Sequence, residues 1–251
     1  LCRSGYPTSP RVRRTEGETP VRPRILEVRE NLLKKNDELA RELRGGFLAE
    51  RVLCVNLVSS PGSGKTTFLR RTLSECLGRG WAVAALVGDL ATDNDARRLA
   101  ESGAPVRQIN TEGVCHLNAE MIERHLREWS PGPLDVLFIE NVGNLVCTAG
   151  YDLGESVRAV LLSTTEGEDK PLKYPSLFNS ADVAVITKTD LAAACEFDRS
   201  AAIRSILSVR PAMRTFETSA KTGAGFEEWL AYLEEARKAL GPPLGLGRGS
   251  S

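Results

Sequence analysis

An α/β fold, a mostly parallel seven-stranded sheet flanked by helices, is what this 251-residue sequence predicts. Three observations carry the prediction. Short apolar runs without internal alternation recur along the chain, as strands covered on both faces require. Segments with apolar residues at helical spacing separate those runs, as crossovers between parallel strands require. The first apolar run passes directly into SSPGSGKTT (59–67), a glycine-rich turn that opens a helix.

The elements follow in order. RILEVRENLLKKNDELARELR (24–44) sets apolar side chains at helical spacing among alternating charges, which predicts an amphipathic helix. Strands are predicted at VLCVNLV (52–58), WAVAALV (81–87), VRQI (106–109), DVLFIE (135–140), VRAVLLS (157–163), DVAVIT (182–187) and MRTFET (213–218). Helices are predicted over 64–79, 93–102, 117–129, 197–209 and 225–240. EGEDKPLKYP (166–175) is too polar for a strand and too bounded by proline for a long helix, and reads as a solvated loop. Residues 1–23, rich in Pro, Arg, Thr and Gly, read as a disordered leader, and GPPLGLGRGSS (241–251) as a disordered tail. That leaves 24–240 as one domain with an N-terminal helix.

Composition narrows the function classes. Hydrophobic residues at 41% and charged residues at 26% suit a chain that buries a core. Lys plus Arg equals Asp plus Glu, 33 each, so no overall basic field directs the chain to nucleic acid. No apolar run approaches the ~20 residues of a membrane span. No apolar h-region marks a secretory signal in the first residues. The six cysteines, Cys2, Cys54, Cys76, Cys115, Cys147 and Cys195, are scattered, so reduced thiols in a cytoplasmic protein are expected rather than a disulfide framework.

The strand–loop–helix context of SSPGSGKTT is that of a phosphate loop, and with it the fold becomes that of a P-loop NTPase. Gly62 and Gly64, with Pro61 and Ser63 beside them, let the backbone turn its N–H groups inward around phosphate oxygens. The helix N-terminus adds a positive dipole end. Lys65 is placed to reach the β/γ-phosphates, and the hydroxyl of Thr66, followed by Thr67, to ligate Mg²⁺. Ser59 stands where the first glycine of this pattern usually falls. Asp89 and Glu140 end the second and fourth strands, the sheet edge where ligands bind in open α/β sheets, so both carboxylates are candidates for the Mg²⁺ site and for catalysis with Lys65. A turn residue and a structural carboxylate are their alternative readings. Asp93 and Asp95 read mainly as a helix N-cap and a solvated first-turn acid.

Base selection has its own candidates. One predicted strand ends in Thr187-Lys188-Thr189-Asp190 and the next in Ser219-Ala220-Lys221. The pair resembles the guanine-recognition segments of GTPases, usually NKxD and SAK, which implies GTP and GDP as ligands. Asp190 can accept from the guanine N1–H and amino group, the Lys188 stem can lie along the base, and the Ala220 N–H can donate to O6. Thr187 replaces the usual Asn.

TEGVCHLNAE (111–120) holds Cys115 and His116 after the third strand, and Cys147 follows Glu140 by seven residues. Two thiolates and an imidazole suit Ni²⁺ or Zn²⁺, but adjacent Cys-His is no zinc-finger spacing, and a structural or merely reactive role stays open on spacing alone. Cys54 reads as a core residue of a strand, Cys76 as helix packing, His125 as a surface residue and Cys195 as unassigned.

SSPGSGKTT, GDLATDNDA, INTEGVCHLNAE, IENVGNLVC, EGEDKPLKYP and SAKTG, in this order over about residues 24–240, closely resemble the HypB family, GTPases of nickel insertion into nickel–iron hydrogenases. The resemblance implies metal binding by Cys115, His116 and Cys147 at a dimer interface, a GTP-dependent homodimer, and nickel delivery to the hydrogenase large subunit with a small zinc-containing partner of the HypA kind. It implies that the 166–175 loop meets the partner subunit, with Lys170 the residue to test. An N-terminal CxxCGC-type nickel site and a His-rich tract, found in family members, have no counterpart here beyond Cys2. Asn118 stands in CHLNA where CHLDA is usual, and Thr148 in NLVCT where NLVCP is usual. The related urease GTPases usually carry Cys-Pro-His. A carrier or storage protein whose GTPase only signals assembly, or a GTPase serving another nickel enzyme such as urease, are the alternatives.

Overall fold

The computed structural model describes residues 24–89, 94–111 and 113–241; for 24–30 and Asp89 it describes the backbone alone. The expected leader, and all but the first residue of the expected tail, lie outside the described residues. The chain opens with helix α1 (Arg24–Glu50) and continues as β1 (Leu53–Ser59), α2 (Lys65–Gly78), β2 (Val83–Asp89), α3 (Asn94–Ala100), β3 (Val106–Asn110), α4 (Ala119–Glu128) and β4 (Val136–Glu140). Then come a 3₁₀ turn (Cys147–Gly150), β5 (Val157–Ser163), α5 (Lys170–Lys173), α6 (Pro175–Ser180), β6 (Val183–Thr187), α7 (Arg199–Val209), β7 (Arg214–Glu217) and α8 (Phe226–Ala239).

The seven strands form one sheet in the order β3-β2-β4-β1-β5-β6-β7, and every paired neighbour is parallel. All seven expected strands are therefore present, with ends that differ from the expected ones by at most two residues. Their unbroken apolar character has a simple cause. Side chains alternate between faces, and both faces are covered. Leu53, Val55 and Leu57 of β1 pack with Phe68 and Leu69 of α2 and Trp229 of α8. Cys54 points the other way, to Phe47 of α1 and Ile122 of α4, and Val58 to Phe178 of α6 and Ile206 of α7. Each large side chain so buried contributes about 1.5–3 kcal/mol of transfer free energy. The register sets Glu140 beside Leu57 of β1 and Val87 of β2, which brings the carboxyl ends of the central strands to one rim.

Two expectations change. The first helix runs to Glu50 rather than ending at 44, because buried Phe47 anchors a last turn that Gly45 and Gly46 cannot interrupt. The 166–175 segment is not only loop: it contains α5, and Pro175 opens α6, with proline at the first or second position of each helix. Proline is suited to those positions, where its missing N–H costs no helical bond. Among the described residues no helix is long and apolar enough to cross a membrane.

A candidate nucleotide and metal site at one rim of the sheet

The phosphate loop runs from Ser59 at the end of β1 to Lys65 at the start of α2. Gly62 and Gly64 hold φ of +76° and +92°, in the left-handed region where a Cβ strains the backbone. Lys65 is only 7% exposed, and its Nζ donates to Ser59 Oγ at 2.8 Å. Serine in place of the usual glycine thus supplies an acceptor that holds the lysine. Burial pushes the Lys65 ammonium below its ordinary value, and the charges of Glu140, Asp95 and Glu166 oppose that shift. The Thr66 hydroxyl donates to Glu140 Oε1 at 2.7 Å, so the two oxygens expected at one Mg²⁺ ion already converge.

These groups line a cleft of about 480 Å³. Gly143, from the segment after β4, closes its wall so tightly that a Cβ there would meet the Pro61 backbone at 3.0 Å. Asp95 and Arg98 of α3 also face the cleft. Sequence reading treated Asp95 mainly as a solvated acid and missed Arg98; helical spacing of three from Asp95 was the available signal. Asp89 ends β2 at this rim as expected, but its side chain, like Asp93, lies outside the described residues.

The segments expected to recognise the base lie beside the loop. Thr187 Oγ1, at the end of β6, donates to the Ser63 carbonyl at 2.7 Å. A threonine hydroxyl thereby ties this strand end to the phosphate loop where the usual asparagine is absent. Lys188 adopts φ +57°, and its Nζ donates to the Gly62 carbonyl at 2.7 Å. Asp190 Oδ1 accepts from Ser219 Oγ at 2.6 Å. Thr67, Lys188, Asp190, Ala220 and Lys221 surround a slot of about 130 Å³ contiguous with Gly64 of the loop.

Cys115 and His116 occupy the turn between β3 and α4, and Cys147 opens the 3₁₀ turn after β4. The two sulfurs lie 2.7 Å apart, His116 Nδ1 is 3.9 Å from Cys115 Sγ, and one donor atom from each residue falls within 4.8 Å of the others. No other such group of three occurs among the described residues. The donor chemistry fits Ni²⁺ or Zn²⁺: two sulfurs and one imidazole are the soft and borderline donors such a cation takes, and it would replace the proton shared by the sulfurs. Burial pushes the His116 imidazole below its ordinary value, toward the neutral form that can ligate. His116 stacks on Tyr151 with ring centroids 3.8 Å apart. Asn144 Oδ1 accepts the N–H of both Val146 and Cys147 at 2.8 Å, and the Thr148 hydroxyl donates to the Asn144 carbonyl, so the turn is fixed without the usual proline. Asn118 caps α4 by accepting from Met121 N at 2.9 Å, a task an aspartate performs equally. Val146 beside the cluster is 70% exposed.

A buried polar network joins this cluster to the nucleotide cleft, and sequence reading missed it. Asn141 Oδ1, one residue past Glu140, accepts from Leu117 N at 3.2 Å and Val142 N at 2.9 Å. Asn56 in the middle of β1 contacts Asn141 at 3.5 Å and donates to Glu155 Oε1 at 3.0 Å. Arg158 pairs with Glu155 at 2.6 Å and donates to the Tyr151 carbonyl at 2.7 Å. The available signal was Asn56 itself, a polar residue inside an otherwise apolar strand. Of the remaining candidates, Cys54 and Cys76 are fully buried, Cys195 is exposed, and His125 Nδ1 accepts from Arg107 Nε at 3.0 Å. Lys170 Nζ lies 5.4 Å from the Tyr174 ring.

Comparison with known proteins matches residues 53–217 to the nucleotide-binding domain described as CobW/HypB/UreG. The chain is 46% identical over 216 residues to the hydrogenase maturation factor HypB of Azotobacter chroococcum mcd 1, covering 86% of this chain and 70% of that protein. It is 38% identical over 213 residues to the hydrogenase/urease maturation factor HypB of Helicobacter pylori, covering 83% and 87%. The crystal structure of HypB from Helicobacter pylori in complex with nickel superposes with a TM-score of 0.76, covering 82% of this chain and 96% of that one.

Proposed function

The chain belongs to the CobW/HypB/UreG family, and within it to the HypB proteins, and from that premise we propose that it is a GTP-hydrolysing metallochaperone that binds nickel or zinc and assists nickel insertion into a nickel–iron hydrogenase. The observation that carries this reading is the placement of a Cys115–His116–Cys147 cluster on the same rim, and partly on the same segment, as the Thr66–Glu140 pair of the phosphate cleft.

Hydrolysis is phosphoryl transfer to water, in which the protein mainly positions charge. The inward N–H groups of residues 62–67 and the Lys65 ammonium take the phosphates, and Lys65 exchanges Ser59 for a phosphate oxygen. Mg²⁺, which neutralises the developing charge, would be held by Thr66 and Glu140, with Asp89 as the further carboxylate. Asp190, Lys188 and the Ser219–Lys221 segment select guanine. The Cys115, His116 and Cys147 donors take the nickel cargo or zinc. The segment from Glu140 to Cys147 links the γ-phosphate to the cluster, so nucleotide state and metal affinity are coupled. A GTP-dependent homodimer across the metal rim, contact of Lys170 with the partner subunit, a HypA-like accessory protein, the hydrogenase large subunit as recipient and a cytoplasmic location complete the reading.

The test is nickel and guanine-nucleotide binding by the full chain, with GTP turnover. Cys115→Ser is expected to abolish stoichiometric Ni²⁺ binding and keep GDP binding. Lys65→Ala is expected to abolish turnover. Nickel affinity unchanged by Cys115→Ser, or hydrolysis surviving Lys65→Ala, sinks the reading. The name of the Helicobacter pylori relative, which includes urease, favours a second reading in which another nickel enzyme is served. Loss of urease rather than hydrogenase activity on gene deletion would select it.

A further inference from the structure

We propose that Asn36 is a positioning residue of the metal site, and that the helix preceding the nucleotide-binding domain works as its clamp. The proposal rests on the metal reading of Cys115, His116 and Cys147. Helix α1 lies outside the matched domain, which begins at residue 53. Asn36, only 8% exposed, uses both halves of its amide on the two segments that form the cluster. Its Oδ1 accepts from Ala119 N at 2.9 Å, three residues past His116. Its Nδ2 donates to the Asp152 carbonyl at 2.9 Å, one residue past Tyr151. The rings of those two neighbours, His116 and Tyr151, stack on each other. One side chain therefore holds both ends of the stacked pair that orients the imidazole.

Two independent contacts press the same segment onto α1. Arg44 forks onto both Asp152 carboxylate oxygens at 2.6 and 2.7 Å, and its Nε donates to the Glu155 carbonyl at 3.2 Å. Gly154, at φ +82°, lies so close to the helix that a Cβ would stand 2.8 Å from the Ala40 carbonyl oxygen. The segment has no room to drift toward the helix, and Asn36 and Arg44 keep it from drifting away. Groups that fix a ligand ring in this way typically govern metal affinity by 10–100-fold when removed.

The substitution Asn36→Asp separates the contacts. It keeps the acceptor for Ala119 N and removes the donor to the Asp152 carbonyl. In the full chain, titrated with Ni²⁺ and read by sulfur-to-nickel charge-transfer absorption, Asn36→Asp is expected to weaken binding roughly tenfold and to shift the band, with GDP affinity unchanged within about twofold. Tyr151→Leu removes the stack alone and is expected to give a similar loss. Combining the two should add less than about threefold, because both act through the His116 ring. Wild-type nickel affinity and spectrum in Asn36→Asp overturn the proposal, as do fully additive losses or an equal fall in GDP affinity. Absence of cysteine-dependent nickel binding in the wild type overturns both this inference and the reading beneath it.

Discussion

The Asn141 side-chain oxygen accepts the Leu117 N–H at 3.2 Å, and so ties the residue after Glu140 to the residue after His116. Asn141 is 1% exposed, and the same oxygen also accepts from Val142 N. On the proposed coupling, this bond is the path by which movement of the Glu140 segment with nucleotide state would reach the turn carrying Cys115 and His116. Asn141→Ala leaves two buried N–H groups short of an acceptor, a cost of about 1–3 kcal/mol each in stability. The expected result is a Ni²⁺ dissociation constant that differs several-fold between GDP and a non-hydrolysable GTP analogue in the wild type, and a ratio near one in Asn141→Ala. A variant that keeps the wild-type ratio would remove Asn141 from the coupling.

Asp190 accepts from Ser219 and faces the slot beside Ala220. Guanine offers two N–H donors to such a carboxylate, and xanthine offers a carbonyl in place of the amino group. Asp190→Asn replaces one acceptor by a donor. GTP affinity should fall by at least 1.5–3 kcal/mol, about tenfold to a hundredfold, with a gain for XTP. Competition of labelled GDP by GTP, XTP and ATP measures this. Unchanged preference for GTP would show that the base is read elsewhere.

The Thr187 hydroxyl, buried at 3% exposure, donates to the Ser63 carbonyl across 124 residues of chain. Thr187→Val keeps the shape and deletes the donor. The folded protein should lose about 1 kcal/mol by chemical denaturation, with GDP binding weakened a few-fold because the loop and the base slot are no longer tied. Val without effect on either would make the bond incidental.

How far the structure could be read from the residues follows from how local each signal is. The strands were legible because burial on both faces leaves an apolar run, and Gly62, Gly64, Lys65 and Thr66 because one loop carries them all. The 166–175 segment misled because polarity and proline read as loop, although Pro171 and Pro175 sit where helices accept them. The Cys115–Cys147 contact joins loops from β3 and β4, which are separated in the sheet by β2, so spacing alone left it open and the family resemblance supplied it. Asn36 and Tyr151 act through tertiary contacts that no motif marks, and Asn141, although inside IENVGNLVC, shows its tie to Leu117 only in the fold.

Thiol chemistry separates the cysteines of the described residues by environment. Burial pushes the Cys76 thiol up to about 12 and raises Cys54 well above its ordinary value. A raised thiol pKa keeps the unreactive protonated form dominant at every pH below it. At pH 8 only about one part in ten thousand of Cys76 is thiolate, and its burial blocks access as well. Cys195 is exposed, and Cys115 and Cys147 are half-buried. Iodoacetamide at pH 8 should therefore label Cys115, Cys147 and Cys195 in the native protein, and Cys54 and Cys76 only after unfolding, as read by peptide mass mapping. One equivalent of Ni²⁺ should protect Cys115 and Cys147 and leave the Cys195 rate unchanged, because a coordinated thiolate is a poorer nucleophile toward the reagent. Equal labelling of Cys115 with and without nickel, at concentrations where nickel binds, would place the metal on other groups.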